Sequence, residues 1–120
     1  MDGGLHSERL RLMKKIKVII KNPEEEYGHV CWVADELEVL QTIVGGYIET
    51  VPASEKDNVV IICDEEGKLK NKEPNLALGI DVVVGTIIVC GQKDENLVDI
   101  PWDVERWMRF VDMRRPMFDY

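Results

Sequence analysis

Runs of apolar residues along the chain predict five strands. They lie at residues 16–20, 29–33, 47–51, 59–63 and 81–90, with a short arm between the last two. Residues 59–63 and 81–90 are apolar at nearly every position, which is typical of strands buried on both faces. The shorter runs end at turn residues or prolines. Gly85 lies inside the longest run and predicts a bulge within that strand or a close approach of another segment to its backbone.

A helical spacing of apolar residues predicts a helix over residues 37–44. Leu37, Leu40 and Val44 recur at positions i, i+3 and i+7, which places them on one face. Asp35 is the expected N-cap, because a short acidic side chain accepts hydrogen bonds from the first turn. Gly45 is the expected end of the helix.

The last predicted helix covers residues 101–113 and carries two kinds of apolar residue. One stripe forms a core face and consists of Ile100, Val104, Trp107, Met108 and Val111. Trp102, Phe110 and Met113 lie off this stripe. Two interpretations remain for these three residues, since the chain termini could cover them or a protein partner could contact them.

This order of elements predicts an α+β fold with a small mixed or antiparallel sheet of about five strands and two helices on one side. A chain of 120 residues has the length of about one domain. Residues 14–120 are expected to form that domain. Residues 1–13 are expected to be a flexible extension, because the Gly3-Gly4 pair disfavours regular structure.

Acidic residues are concentrated in the middle of the chain, whose formal net charge is −8. Residues 23–66 carry twelve acidic residues and one basic residue, for a net charge of −11. Such a surface repels phosphate, so no direct nucleic-acid contact is expected, and it attracts a basic protein. The residues predicted to contact that partner are Glu24, Glu25, Glu26, Glu36 and Glu38, together with Trp102, Phe110 and Met113. The alternative is that the acidic residues only keep the chain soluble.

Candidate groups for catalysis or metal binding are few. Cys31, Cys63 and Cys90 lie in strand-like runs without a CxxC spacing, as expected for reduced core residues in a cytoplasmic protein. His29 and Cys31 could supply two metal ligands, but no second pair lies at a useful spacing. The sequence therefore predicts no enzyme activity, no metal and no cofactor. No apolar run reaches the ~18 residues that a membrane-spanning helix needs, so no membrane contact is expected.

Four blocks of sequence carry a resemblance to a known family. They are KVIIKNP at residues 17–23, the segment around Gly45-Gly46-Tyr47, DEEGKL at residues 64–69 followed by Pro74-Asn75, and DVVVGT at residues 81–86. From about Met13 to Gly91, and again in its last helix, the chain resembles domain-of-unknown-function family 3846. The family consists of small proteins common on phages, plasmids and integrative elements of Firmicutes and gut bacteria, and it has no assigned catalytic residues.

The resemblance and the charge pattern together lead to a functional hypothesis. Mobile-element proteins of this size are often inhibitors of host defence. We therefore expect a non-enzymatic, anti-CRISPR-like inhibitor in the cytoplasm of the host bacterium, which contacts a basic nucleic-acid-binding effector such as a CRISPR nuclease. A homodimer is compatible with this hypothesis. The alternative is a protein that binds a small, nucleotide-like ligand in the loops near Asn75 and Gly85.

Overall fold

The structure is a computed structural model that describes residues 13–116. Its strands are β1 (Lys15–Lys21), β2 (His29–Ala34), β3 (Ile48–Ser54), β4 (Val59–Asp64), β5 (Pro74–Leu78), β6 (Asp81–Val84), β7 (Ile87–Lys93) and β8 (Asn96–Val98). Its helices are α1 (Leu37–Val44) and α2 (Val104–Asp112). The predicted flexible extension over residues 1–13 lies, apart from Met13, outside the described residues. Residues 117–120 of the predicted domain also lie outside them.

Six strands form the main sheet, in which the order across the sheet is β2-β1-β7-β4-β3 and β8 pairs with β7. β5 and β6 form a separate two-stranded sheet. All strand pairings among the described residues are antiparallel. The predicted α+β fold with an antiparallel sheet and two helices is confirmed.

The two helices pack against opposite faces of the sheet, so their predicted placement on one side is wrong. Residues of the central strands alternate between two separate cores, as the period of a strand requires. Ile61 and Val89 share one core with Trp107 of α2. Ile62 and Ile88 share the other core with residues of α1. The sheet of β5 and β6 covers the same face as α2.

The longest predicted strand is divided at Gly85. β6 ends at Val84, Gly85 adopts a left-handed backbone with φ of 76°, and β7 begins at Ile87. β6 then pairs with β5, whereas β7 lies between β1 and β4 in the main sheet. The predicted bulge is therefore a turn between two sheets, because glycine readily adopts a positive φ that other residues avoid.

Helix α1 covers the predicted residues 37–44, but its N-cap lies one residue later than expected. Glu36, and not Asp35, occupies the N-cap position, and its side chain makes no capping hydrogen bond. Gly45 follows the last helical residue with φ of 84°, and its backbone N–H donates to Gln41 O at 2.8 Å. The next glycine is required by packing, since a Cβ at position 46 would lie 2.6 Å from Asp64 Oδ1.

The carbonyl groups at the end of α1 are capped by lysines from the loop after β4. Lys72 Nζ donates to Val44 O at 2.9 Å, and Lys70 Nζ donates to Gly45 O at 3.1 Å. Both ammonium groups also contact Asp64 Oδ2, at 2.7 Å for Lys70 and 2.8 Å for Lys72. Burial alone would raise the pKa of Asp64, but the hydrogen bonds from the two lysines lower it to about 2.

Candidate functional site

The outer edge of β2 is the most open apolar surface of the main sheet. β2 is one of the two edge strands, and β1 is its neighbour. Trp32 is 59% exposed and Val30 is 42% exposed, although both lie within a regular strand. Monomeric proteins normally protect a strand of this kind with charged residues, proline or bulges. β2 has none of these, because its sequence is HVCWVA and its pairing with β1 has no register shift.

The glutamates predicted to bind a partner form two groups, one at each end of β2. Glu24, Glu25 and Glu26 lie in the loop before β2, whereas Glu36 and Glu38 lie at the start of α1, shortly after β2 ends. Six residues of strand separate the groups, which corresponds to about 20 Å. They therefore border the β2 edge and do not form one contiguous patch.

Glu25 differs from the other four glutamates because it helps to hold its own loop. It accepts hydrogen bonds from Asn22 N at 2.9 Å and from Asn22 Nδ2 at 2.7 Å. The bond from the backbone amide lowers the pKa of Glu25. Its second oxygen lies 3.1 Å from His29 Nδ1. Glu24, Glu26, Glu36 and Glu38 are exposed. Of these, Glu26 lies 3.5 Å from Arg115 across the surface.

The prediction that Trp102 and Phe110 lie off the packed face is wrong, whereas Met113 is 80% exposed among the described residues. Trp102 is 8% exposed and Phe110 is 7% exposed, and their ring centroids lie 5.0 Å apart. The error arises at the start of the helix. Helix α2 begins at Val104 with Asp103 as its N-cap, so Trp102 precedes the helix and folds back onto it. Val104, predicted for the core, is 53% exposed.

Trp102, Phe110 and Met113 do meet at one place, a groove of about 300 Å³ beside α2. The other residues that line the groove are Ala53, Ser54, Arg106, Arg109 and Arg114. The arginines lie near the aromatic rings, since the Arg114 guanidinium carbon is 3.9 Å from the Phe110 ring centroid. The groove carries three arginines, of which Arg106 pairs with Asp57 Oδ2 at 3.0 Å. Its formation was not evident from the sequence pattern, because Ala53 and Ser54 on its wall lie far from the arginines along the chain.

A buried polar cluster joins β1, β5 and the Gly85 turn. Lys21 and Asn75 are each 3% exposed. Lys21 Nζ donates to Asn75 Oδ1 at 2.8 Å, and Asn75 Nδ2 donates to Lys21 O and to Gly85 O, both at 2.8 Å. Burial lowers the pKa of Lys21, and the positive charge of Arg115 lowers it further. Both N–H groups of the Asn75 amide are used within the protein, so it is not poised to hold a ligand.

Metal-binding side chains do not converge among residues 13–116. No cluster of three or more His, Cys, Asp or Glu side chains that could hold a metal ion exists within this range. Burial raises the pKa of Cys63 to about 11 and that of Cys90 to about 12, so both are protonated at neutral pH. Burial also raises the pKa of Cys31. No helix within the described range is long and apolar enough to cross a membrane.

Comparison with protein families matches residues 16–112 to a family described as a domain of unknown function (DUF3846). The match begins at the second residue of β1 and ends with the last residue of α2, so it spans nearly all of the described strands and helices. No curated protein and no solved structure matches the chain significantly.

Proposed function

The chain belongs to the family described as a domain of unknown function (DUF3846), and on that premise we propose that it is a non-enzymatic accessory protein of a phage, plasmid or integrative element. Its proposed action is to inhibit a defence effector of the host by protein–protein contact in the cytoplasm. The target is a protein with a basic nucleic-acid-binding surface, such as a CRISPR nuclease.

One observation carries this proposal. The outer edge of β2, which no other strand covers among residues 13–116 and where Trp32 and Val30 are exposed, lies between two groups of glutamates. Aromatic side chains exposed beside charged residues are common where proteins bind each other. Complementary charges accelerate the encounter with a basic protein, and this acceleration weakens as salt concentration rises.

The test uses the full chain and a panel of purified CRISPR effector nucleases, with binding measured by biolayer interferometry and inhibition measured as loss of DNA cleavage. The docking variant replaces Glu24, Glu26, Glu36 and Glu38 by glutamine. The matched control replaces four other exposed glutamates, Glu49, Glu55, Glu65 and Glu73, by glutamine. Each variant removes four of the negative charges, which changes the formal net charge from −8 to −4.

We expect the docking variant to bind about tenfold more weakly than the control variant, which corresponds to about 1.4 kcal/mol. Binding of the unmodified chain should weaken as salt concentration rises. Equal losses in both variants would show that only the total charge matters. Absence of binding to every effector in the panel would contradict this target class.

Small-ligand binding is a second candidate function, for which we propose a location different from the predicted loops near Asn75 and Gly85. The groove beside α2 presents Arg106, Arg109 and Arg114 around an aromatic floor, which suits an anionic aromatic ligand. Native mass spectrometry of the purified chain should then show a bound anion, and Arg109→Gln should release it. An unshifted mass in the unmodified chain argues against this function.

A further inference from the structure

We propose that the partner docks by adding an extended segment of its own chain to the outer edge of β2, as an additional strand of the main sheet. The segment has uncharged, β-branched residues at its centre and lysine or arginine at both ends. This inference rests on the proposed docking function and specifies how the contact is made.

The first argument is the direction of the backbone groups in β2. Asp35 N donates to Lys14 O at 2.8 Å, so these two residues form a hydrogen-bonded pair at the end of the ladder. In an antiparallel ladder, every second pair of facing residues is hydrogen-bonded and the pairs between them are not. Counting from the pair of Lys14 and Asp35, the pair of Lys17 and Trp32 is one without hydrogen bonds between its two residues. Lys17 instead uses its N–H and C=O for Asp99 Oδ1 and Ile100 N, each at 2.9 Å.

The same alternation sends the N–H and C=O groups of Val30, Trp32 and Ala34 away from β1. Within the described part of the chain, no strand pairs with this side of β2. Ala34 O already accepts from Glu36 N at 2.9 Å. The N–H and C=O groups of Val30 and Trp32, together with the N–H of Ala34, are therefore available to an added strand. Recognition by strand addition draws its affinity from main-chain hydrogen bonds of this kind.

The second argument is the contrast with β3, the opposite edge of the sheet. Tyr47 O accepts from Glu65 N at 2.9 Å, so these two residues form a hydrogen-bonded pair. By the same alternation, the backbone polar groups of Ile48, Thr50 and Pro52 point away from β4. Pro52 has no N–H to donate, and the register of β3 shifts between Pro52 and Ser54. One edge of the sheet is thus interrupted by proline and a bulge, whereas the other is left regular.

The third argument is charge, which distinguishes a basic partner from a second copy of this chain. Two copies paired antiparallel through β2 would bring the acidic loop before β2 of one copy against the start of α1 in the other. Both regions are acidic, with Glu24 and Glu26 in the first and Glu36 and Glu38 in the second, so these ends would repel. A partner segment with cations at both ends faces opposite charges instead.

Two exposed side chains supply the apolar part of the contact. Val30 lies opposite Ile19 and Trp32 lies opposite Lys17, so both face the same side of the sheet as α2. β-branched residues on an added strand would pack beside them, since neighbouring strands bring side chains on one face into contact.

The test measures amide hydrogen exchange of the full chain with synthetic peptides as the probe. The basic peptide is acetyl-KKTVTVTVKK-amide, and the controls are acetyl-EETVTVTVEE-amide and acetyl-KKTPTPTPKK-amide. At about 1 mM peptide, which detects weak binding, the basic peptide should slow exchange at Val30, Trp32 and Ala34 by about tenfold. Exchange at Cys31 and Val33, which already pair with β1, should not change. Neither control peptide should have this effect.

A pair of lysine substitutions tests the same edge. Trp32→Lys should abolish the protection, whereas Thr50→Lys, which adds the same charge to an outward-facing position of β3, should leave it intact. Circular dichroism establishes that both variants are folded.

The remaining outcomes overturn strand addition and identify what replaces it. If inhibition of an effector depends on the four glutamates but the basic peptide protects no β2 amide, the docking function stands and strand addition is wrong. If the β2 amides become more protected as the protein concentration rises, and light scattering gives a doubled mass, the edge is occupied by a second copy of the chain. If the β2 amides are protected in the full chain without peptide, and this protection disappears in a chain that starts at Met13, the edge is occupied by residues 1–12.

Discussion

At the scale of single residues, buried polar side chains connect segments that are distant in sequence. Asp64 is the last residue of β4, and its backbone carbonyl accepts a turn hydrogen bond from Gly67 N at 3.0 Å. Its burial was not predictable, because it depends on Lys70 and Lys72 returning over the end of α1. The cluster of Lys21 and Asn75 was also missed, because the fold brings together two residues that lie 54 positions apart in the sequence.

Asp64→Asn should destabilise the fold by about 2 kcal/mol at pH 7, because the lysines lose the carboxylate that pairs with them. The pKa of Asp64 falls from its ordinary 3.8 to about 2 on folding. This stabilisation is therefore present above about pH 4 and is lost as the pH falls towards 2. Denaturant unfolding between pH 7 and pH 2 measures it.

The matched control for this prediction is Glu95→Gln, which also removes one negative charge but from an exposed residue. It should leave both the free energy of unfolding and its pH dependence nearly unchanged. Equal pH profiles for the unmodified chain and Asp64→Asn would contradict the role given to Asp64.

Asn75→Ala should destabilise the fold by about 3 kcal/mol, because it leaves two buried carbonyl groups and the Lys21 ammonium without their partner. Thermal or denaturant unfolding measures the loss. Asn96→Ala is the control, since Asn96 is exposed. A loss for Asn75→Ala no larger than that of the control would show that water replaces the amide.

At the scale of elements, periodicity predicted five of the six strands of the main sheet and the end of α1, but it missed β8 and several boundaries. The division at Gly85 was missed because hydrophobicity continues through it, from Val84 to Ile87. The start of α2 was placed at Pro101 because proline is favoured in a first turn. Asp103 instead caps the helix, and its carboxylate accepts from Arg106 N at 2.8 Å. The open edge of β2 was also missed, although its lack of charge and proline is visible in the sequence.

The two helices should respond in opposite ways to changes at their N-caps. Asp103→Ala removes the bond to Arg106 N and should cost about 1 kcal/mol. Glu36→Asp keeps the charge and supplies a shorter side chain, which is a preferred N-cap, so it should stabilise α1 by about 0.5 kcal/mol. Denaturant unfolding of both variants provides the measurement. Destabilisation by Glu36→Asp would indicate that the Glu36 side chain has a role besides capping.

At the scale of the whole molecule, the sheet is the central layer between two cores. The sequence does not show which face of the sheet each helix covers. Both faces of β4 and β7 are apolar, so a helix could pack against either face. The arrangement of the candidate site also depends on the fold. The sequence located the glutamates, but only the fold shows that β2 separates them.

Hydrogen exchange across the molecule should follow this layering. Paired amides of β4 and β7 are buried under both cores and should exchange most slowly, on the timescale of global unfolding. The outward amides of β2 should exchange fastest among the strands of the main sheet. Nuclear magnetic resonance measures both sets in one experiment. Slow exchange at β2 combined with fast exchange at β4 would contradict the layer order.

The central position of β7 has a consequence for the order of events during synthesis. β1 with β2 and β3 with β4 are local hairpins, but the two hairpins join only through β7, which pairs with β1 and β4. A nascent chain therefore holds two separate hairpins until its last third has left the ribosome. A chain cut short before Ile87 would expose the apolar faces of β1 and β4 together, and it would be a substrate for chaperones and proteases.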